Sequence, residues 1–363
     1  MIPRRHLLGS AAALTALTLA GPLSAQSDAP MPVVATFSIL GDMVERIGGK
    51  SVAVTTLVGR GGDAHVYQPT PADARAVSEA DLLFVNGLEF EGWLDRLIDA
   101  SAFDGTRVVA TEGITPMAFE EEGHHDGADH DEHGDEEHDD AHHDDADHDD
   151  AHHEDAHDED AGHDAEHHDD AHHDDQDHAE AEGHHHHGAF DPHAWQSLAN
   201  ARVYATNIAR ALSRADPGNA VIYEANAAVY ISQMEALDAE IRAMTAALPA
   251  DRRIVVTSHD AFQYFGRDYG LTFLAPQGLS TESEASAKDM AALIQRIRAD
   301  GISAVFIENI ADPRLLEQIA RETGATIGGT LYPGALSEPE GPAGTYLDMM
   351  RHNAVTLTQA LGS

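Results

Sequence analysis

The sequence predicts an α/β protein of two lobes, each with a mainly parallel sheet, joined by one long bridging helix. Three observations lead to this prediction. Short apolar runs alternate with amphipathic segments before residue 120, and the alternation begins again at Arg253. Strands and helices that alternate at this spacing form βαβ units with parallel strands. Between the two series lies a single amphipathic pattern, and a chain of 363 residues is long enough for two hydrophobic cores.

The first lobe is predicted over residues 26–215. Strands are expected where apolar residues run together, and helices where apolar residues recur every three or four positions. The predicted strands are 33–37, 52–58, 82–86 and 107–110, and the predicted helices are 38–47, 71–80 and 90–100.

The bridging helix is predicted over residues 216–249. Asp216 can cap this helix, Pro217 suits its first turn and Pro249 ends it. One apolar stripe has alternate spacings of four and three residues, and its members are Tyr230, Met234, Leu237, Ile241, Met244 and Leu248. About 30 residues at roughly 1.5 Å each give a helix of about 45 Å. A helix of that length can lie along both lobes and hold them in a fixed relation.

The second lobe is predicted over residues 250–363, where the alternation of strand and helix patterns resumes. Its sheet is again expected to be mainly parallel, for the same reason as in the first lobe. The predicted strands are 254–258 and 304–308, and the predicted helices are 261–269, 285–300 and 313–323.

Residues 1–25 have the pattern of a secretory signal peptide, with a basic start, an apolar run from Leu7 and a small residue at Ala25. The apolar run is too short and too rich in alanine for a transmembrane helix. Arg4 and Arg5 leave twin-arginine export open beside the general secretory route. The sequence contains no Cys, so we expect neither disulfides nor a lipid-bearing Cys. The expected location is therefore the periplasm, as a free protein.

Residues 120–187 form an acidic stretch with 31 Asp and Glu, 21 His and no Lys or Arg. Part of the stretch repeats every ten residues, but no repeat has a hydrophobic face, so a stacked solenoid is excluded. Its small apolar surface cannot offset the entropy cost of ordering, and we predict a disordered loop inserted in the first lobe. The formal net charge of the chain is -43. Such a charge argues against nucleic acid and anionic membranes as partners.

Four histidines lie outside the signal peptide and the acidic stretch, and three of them have similar surroundings. His65 follows the second predicted strand, His193 follows the acidic stretch, and His259 follows the strand that opens the second lobe. Loops at the carboxyl ends of strands line the ligand crevice of open α/β sheets, so we expect these three imidazoles to meet between the lobes. Three neutral imidazoles suit zinc, whereas Ca²⁺, Mg²⁺ and Mn²⁺ favour oxygen ligands. His352 is predicted on the surface of a C-terminal helix.

Several stretches of the sequence carry a resemblance to a known family. They are GGDAHVYQPTPADARAVSEADLLFVNGLEFEGWL, DPHAWQSLANA, SHDAFQYFGRDYGL, FIENIADPRLLEQIA and GTYLDMM. Together they resemble the zinc-binding branch of the ZnuA-like, cluster A-I solute-binding proteins, which are periplasmic metal receptors of bacterial ABC importers. The resemblance implies the cluster A-I fold, little hinge motion, a zinc ion between the lobes and delivery to an inner-membrane permease driven by ATP.

The resemblance places the three metal-binding histidines of the family on His65, His193 and His259. Manganese-selective relatives tend to carry Glu at the third of these positions, so a histidine there indicates zinc. The chain departs from the family at the fourth ligand. Many relatives have an Asp where this sequence has Gly334, and other zinc members have a Glu where it has Ala64.

Three candidates for the fourth zinc ligand follow, namely water as the first choice, Asp63, and a histidine of the acidic stretch. Asp260 and Glu308 are acids near the expected cleft. Either could accept a hydrogen bond from a ligating imidazole. The alternatives are a helix cap for Asp260 and a solvated acid at a strand end for Glu308.

The expected function is that of a high-affinity receptor that captures Zn²⁺ in the periplasm and delivers it to an ABC permease. A monomer is expected, and a periplasmic zinc chaperone is a further candidate partner. We assign no catalytic or cofactor-binding residue, because the sequence has neither an HExxH motif nor a nucleophile motif. A zinc hydrolase remains an alternative, since three histidines and a water also describe a catalytic zinc site.

Residues 120–187 are expected to raise the local zinc concentration through many weak, exchanging sites. A periplasmic zinc buffer or chaperone that acts through this stretch alone is therefore another alternative function. A solvated acidic spacer with no metal role is the third interpretation of the same residues.

Overall fold

The structure is a computed structural model that describes residues 29–119 and 190–362. Within these residues the chain forms two four-stranded sheets, and every pair of neighbouring strands is parallel. The prediction of a two-lobe α/β fold with mainly parallel sheets is confirmed. The predicted signal peptide and the acidic stretch at 120–187 lie outside the described residues.

The first lobe is a sheet flanked by helices. Its strands are β1 (Met31–Phe37), β2 (Val52–Val58), β3 (Leu82–Val85) and β4 (Thr106–Val109), in the spatial order β2-β1-β3-β4. Its helices are α1 (Ser38–Gly48), α2 (Pro71–Ser78), α3 (Leu94–Ser101) and α4 (Leu198–Ala215). β1 and β3 are almost wholly buried, as expected for central strands of a parallel sheet covered on both faces.

The start of α2 is fixed by a capping box. The Thr70 side chain accepts hydrogen bonds from the backbone N–H groups of Ala72 and Asp73, and the Asp73 carboxylate accepts one from the Thr70 N–H. Pro71 occupies the first turn, where its missing N–H has no cost. The capping box therefore defines where the loop between β2 and α2 ends, and this loop carries His65.

The long helix α5 spans Ala220–Ala246. Residues Pro217–Asn219 ahead of it form a 3₁₀ turn, and the Asp216 carboxylate accepts hydrogen bonds from Asn219 and Tyr223. Its buried positions recur every three or four residues, and they are Tyr223, Ala227, Tyr230, Met234, Leu237, Ile241 and Thr245. One face of α5 is therefore in the protein core along its whole length.

The second lobe repeats the architecture of the first. Its strands are β5 (Ile254–Val256), β6 (Thr272–Leu274), β7 (Ala304–Glu308) and β8 (Thr326–Leu331), in the order β6-β5-β7-β8. Its helices are α6 (Gln263–Tyr269), α7 (Ala287–Asp300), α8 (Arg314–Thr323) and α9 (Tyr346–Gly362). In each sheet the first strand in the sequence lies between the second and the third, so the chain changes direction across the sheet at that strand. The carboxyl ends of the strands at such a switch point line a ligand crevice.

The two lobes share one large hydrophobic cluster, and a second, smaller cluster lies within the second lobe. Helix α5 packs against α1 and α4 of the first lobe and against α6 and α9 of the second. A single buried cluster extends from Phe37 in the first lobe through Met234 of α5 to Phe262 and Tyr346 in the second. A large separation of the lobes would expose this apolar surface to water, which opposes such a movement.

Three elements were not predicted from the sequence. β6 has only three residues, and β8 is a mostly exposed edge strand with Gly328 and Gly329, so neither has the apolar run of a buried strand. Helix α4 does have an amphipathic pattern, which the sequence analysis did not use. In the described parts of the chain, no helix combines the length and apolar character needed to cross a membrane.

Candidate metal centre

The structure brings together the three histidines that the sequence singles out. One ring nitrogen each of His65, His193 and His259 lies within 4.8 Å of the other two. His65 Nε2 and His193 Nε2 are 3.2 Å apart, and the ring centroids of the three pairs are 5.3, 5.4 and 5.6 Å apart. Within residues 29–119 and 190–362, this is the only group of three or more His, Cys, Asp or Glu side chains so placed.

His65 is held by the geometry of the loop between β2 and α2. Its backbone N–H donates to the Asp63 carboxylate at 2.9 Å, which closes a tight turn just before the ring. The Trp93 indole N–H donates to the Ala64 carbonyl at 2.8 Å. The His65 ring also meets the Phe90 ring edge to face, with the centroids 4.9 Å apart. The two hydrogen bonds thus fix the backbone of this loop and Phe90 supports the imidazole, which remains partly exposed.

His193 is completely buried and is oriented by Asp191. Asp191 Oδ1 accepts hydrogen bonds from the His193 backbone N–H at 2.9 Å and from His193 Nδ1 at 2.8 Å. The Trp195 ring packs against the imidazole, with the centroids 5.2 Å apart, and its indole N–H donates to the Pro333 carbonyl. A carboxylate on Nδ1 fixes the tautomer and leaves Nε2 with a free lone pair.

His259 is also completely buried, directly after β5. Glu308, the last residue of β7, accepts a hydrogen bond from His259 Nδ1. Its other carboxylate oxygen accepts from the backbone N–H groups of Ser258 at 2.9 Å and His259 at 3.1 Å. The parallel pairing of β5 with β7 brings these groups together. The Nε2 atom of His259 is therefore the nitrogen left for a ligand.

The three Nε2 atoms suit a tetrahedral metal ion. His259 Nε2 is buried without a hydrogen-bond partner among the described residues, and such atoms are rare in folded proteins. Two nitrogens that each bind Zn²⁺ at about 2.0–2.1 Å in tetrahedral geometry lie roughly 3.3 Å apart. The separation of 3.2 Å between His65 and His193 is close to this value.

The surroundings set the protonation states of the three imidazoles. Burial lowers the pKa of His65 and of His193 well below 6.5, and the neighbouring imidazoles lower it further. Burial would also lower the pKa of His259, but the charge and hydrogen bond of Glu308 outweigh burial and raise it. Burial raises the pKa of Asp191 to about 7. Two of the imidazoles are therefore neutral at pH 7, and a proton on His259 competes with a metal ion.

Two acids that the sequence placed near the cleft have other partners. Asp63 accepts hydrogen bonds from the backbone N–H of His65 and from the Thr281 hydroxyl of the second lobe. Asp260 accepts from the Gln263 amide at 2.6 Å rather than from an imidazole, and burial raises its pKa to about 6. Neither carboxylate belongs to the group of three histidines.

Gly334 and His352 are the remaining positions that the sequence analysis named. Gly334 follows Pro333, whose carbonyl accepts hydrogen bonds from Trp195 and Gln196 of the first lobe. A Cβ at Gly334 would have ordinary contact with Ile310, at 3.6 Å, so a side chain fits there.

His352 lies on α9, with Nε2 3.0 Å from the Thr330 carbonyl, and is not part of the cluster.

Asp191 is the residue of this site that the sequence analysis missed. The sequence Asp191-Pro192-His193 gives a signal for it, since an acid two residues before a histidine can bond both the backbone and the ring of that histidine. An acid so placed beside a predicted histidine ligand is itself a candidate to fix the tautomer of that ligand.

The amino-acid sequence matches a family of metal-uptake proteins. Residues 33–360 match ZnuA, described as the periplasmic component A of the zinc-uptake complex. The iron-binding protein YfeA of Yersinia pestis is 29% identical over 330 residues, which cover 91% of this chain and 86% of that protein. The manganese-binding lipoprotein MntA of Halalkalibacterium halodurans is 28% identical over 332 residues, which cover 91% of this chain and 88% of that protein.

Solved structures of similar proteins have the same fold. The periplasmic zinc-binding protein TroA from Treponema pallidum is 26% identical, with a TM-score of 0.70 over 91% of this chain and 99% of that one. The Mn-bound periplasmic metal-binding protein from Candidatus Liberibacter asiaticus is 28% identical, with a TM-score of 0.67 over 91% and 98%. The chain therefore belongs to the ZnuA family, the metal-binding substrate-binding proteins of ABC importers.

Proposed function

We propose that this protein is a high-affinity zinc receptor that captures Zn²⁺ in the periplasm and delivers it to the permease of an ABC importer. One observation carries the proposal, namely that among the residues the structure describes, the donor atoms converging in the cluster are the imidazole nitrogens of His65, His193 and His259 alone. Neutral imidazole is a borderline ligand that suits zinc.

The choice of zinc over manganese or iron rests on this donor set. Similar proteins are named for iron, manganese or zinc, so membership of the family leaves the metal open. Mn²⁺ favours carboxylate oxygens. In the cluster, the carboxylates of Asp191 and Glu308 accept hydrogen bonds from Nδ1 atoms and therefore support the imidazoles instead of facing the metal position.

The proposed fourth ligand is water. Asp63 is engaged by Thr281 and by the backbone N–H of His65, and Gly334 has no side chain to offer. His65 is only partly buried, which leaves one side of the cluster accessible to solvent. A zinc water could also serve hydrolysis, but Asp191 and Glu308, the carboxylates bonded to the imidazoles, are on the Nδ1 side and are not placed to act as its base. A receptor is therefore the better supported function.

The acidic stretch at 120–187 is proposed to supply weak zinc sites beside the strong one. Residues Ala118 and Phe190 form an antiparallel bridge, and the Asp191 N–H donates to the Met117 carbonyl at 2.9 Å. The two ends of the insertion are therefore joined to each other next to the Asp191–His193 pair. Zinc held by the 21 histidines of the stretch would be concentrated near the cluster.

The first prediction concerns metal stoichiometry and the three ligands. The protein without its predicted signal peptide should bind one Zn²⁺ tightly, and His65→Ala, His193→Ala and His259→Ala should each weaken binding by more than the roughly 10- to 100-fold typical of outer partners. The measurement is competition with a chromophoric chelator, combined with elemental analysis. His352→Ala is the matched control and should bind zinc normally. Tight binding that survives all three cluster substitutions would remove the proposal.

The second prediction concerns the choice of metal. Gly334→Asp should add an oxygen donor near the metal position and lower the preference for Zn²⁺ over Mn²⁺ by at least about tenfold, which corresponds to roughly 1.4 kcal/mol. Gly334→Asn, of almost the same size but neutral, is the control. Wild-type protein that prefers Mn²⁺ in a direct competition would contradict the assignment of zinc, whatever the variants do.

The third prediction concerns pH. Zinc binding requires a neutral His259, whose pKa is raised, so zinc affinity should fall as the pH drops through that raised pKa. In Glu308→Gln the attraction that holds the proton is lost, so the fall should move to lower pH, while affinity at about pH 8 weakens roughly 10- to 100-fold. Dissociation constants measured between about pH 8 and 5.5 provide the test. Equal midpoints for the two proteins would be incompatible with this role of Glu308.

The fourth prediction concerns the insertion. Replacing residues 120–187 by a short Gly-Ser turn should keep the tight site, because the Ala118–Phe190 bridge already joins the ends. Most of the additional zinc equivalents should disappear, since isolated histidines must pay an entropy cost to assemble each site. Zinc titration of both proteins decides the matter. Loss of the tight site, or an unchanged total stoichiometry, would mean that the insertion has another role.

A further inference from the structure

Two backbone carbonyls of the segment Asp191-Pro192-His193 accept hydrogen bonds from side chains of opposite lobes. The Tyr264 hydroxyl of α6 in the second lobe donates to the Asp191 carbonyl at 3.0 Å. The Asn86 side-chain amide, at the end of β3 in the first lobe, donates to the Pro192 carbonyl at 2.9 Å. The segment that carries one histidine of the cluster is thus positioned by a hydrogen bond from each lobe.

Of the two donors, Tyr264 belongs to the second lobe, which also carries His259. It is completely buried, and its hydroxyl also accepts a hydrogen bond from the Met117 N–H at 2.9 Å. Burial raises the pKa of Tyr264, so the hydroxyl stays protonated and can donate. Met117 and Asp191 are themselves paired, since the Asp191 N–H donates to the Met117 carbonyl at 2.9 Å. The Tyr264 hydroxyl therefore holds both segments that flank the insertion, at Met117 and at Asp191.

A series of hydrogen bonds connects the Tyr264 hydroxyl to the imidazole of His193. Asp191 is bonded on both backbone sides, by Met117 at its N–H and by Tyr264 at its carbonyl. Its side chain then holds the His193 ring through Nδ1. These bonds restrain the Asp191 backbone, so a shift of Tyr264 would be passed through Asp191 to the His193 ring.

We propose that Tyr264 is a positioning residue for metal binding, which sets the His193 ring of the first lobe relative to His259 of the second. The inference rests on the proposed metal-receptor function of the cluster. Metal affinity depends on donor atoms that are already at the right separation, because the cost of assembling them is then lower. The Tyr264 hydroxyl provides such positioning through a hydrogen bond between the lobes. Its acceptor is the carbonyl of Asp191, two residues before His193.

The test compares Tyr264→Phe with Tyr269→Phe in the protein without its predicted signal peptide. Tyr269 lies on the same helix and donates to Asp238 of α5 at 3.0 Å, so its variant loses a similar hydrogen bond that has no connection to the cluster. Tyr264→Phe should weaken Zn²⁺ binding roughly 10- to 100-fold, as outer partners of metal ligands do. Tyr269→Phe should leave the dissociation constant unchanged. Thermal unfolding of both metal-free variants shows that they are folded.

A second measurement separates positioning from a general loss of stability. If Tyr264 acts through Asp191, Tyr264→Phe should cause little further loss of zinc affinity in a protein that already carries Asp191→Ala, and the two substitutions should not be additive. The absorption spectrum of bound Co²⁺ should also change in Tyr264→Phe and stay the same in Tyr269→Phe, because it reports on the geometry of the ligands.

Three results would overturn the inference. They are equal zinc affinity in Tyr264→Phe and wild type, equal losses in Tyr264→Phe and Tyr269→Phe, and full additivity with Asp191→Ala. Failure of the wild-type protein to bind zinc or another divalent ion would instead contradict the proposed function itself, so the two failures are distinguishable.

Discussion

The convergence of three imidazoles on one point, two of them completely buried, is the constraint on which the rest of this structure depends. Their Nε2 lone pairs face one another, and no described side chain donates a hydrogen bond to His259 Nε2. An unsatisfied buried polar group costs about 1–3 kcal/mol, so this arrangement is unfavourable unless a cation joins the three nitrogens. Asp191 and Glu308 make the arrangement possible, because each accepts a hydrogen bond from an Nδ1–H group and so leaves an Nε2 lone pair directed toward the centre.

This constraint requires a rigid scaffold, which the shared core provides. His65 and His193 belong to the first lobe and His259 to the second, so any relative movement of the lobes changes the distances between the nitrogens. The apolar face of α5 and the buried cluster that extends through both lobes oppose such movement. Polar contacts between the lobes act at the site itself, where Thr281 bonds Asp63 and Tyr264 bonds Asp191. Packing sets the overall relation of the lobes, and these hydrogen bonds refine it locally.

The same residue type has two different physical roles in this chain under the proposed function. Three histidines are fixed on a folded scaffold, which has already met the entropy cost of bringing them together. Twenty-one others lie in the acidic stretch at 120–187, whose composition offers almost no apolar surface to hold them in place. Strong and weak zinc binding would therefore coexist in one molecule.

The fold class and the convergence of three histidines could be predicted from the sequence, because alternating strand and helix patterns and residue types after strands are local properties. Only the tertiary structure decided which acids serve the site. Asp260, next to His259 in the chain, bonds Gln263, whereas Glu308, 49 residues away, bonds the imidazole. The contact of Tyr264 with Asp191, across 73 residues, was equally beyond the sequence. The reason is physical: such pairs depend on strand order and on the packing of the lobes, and neither leaves a periodic pattern in the chain.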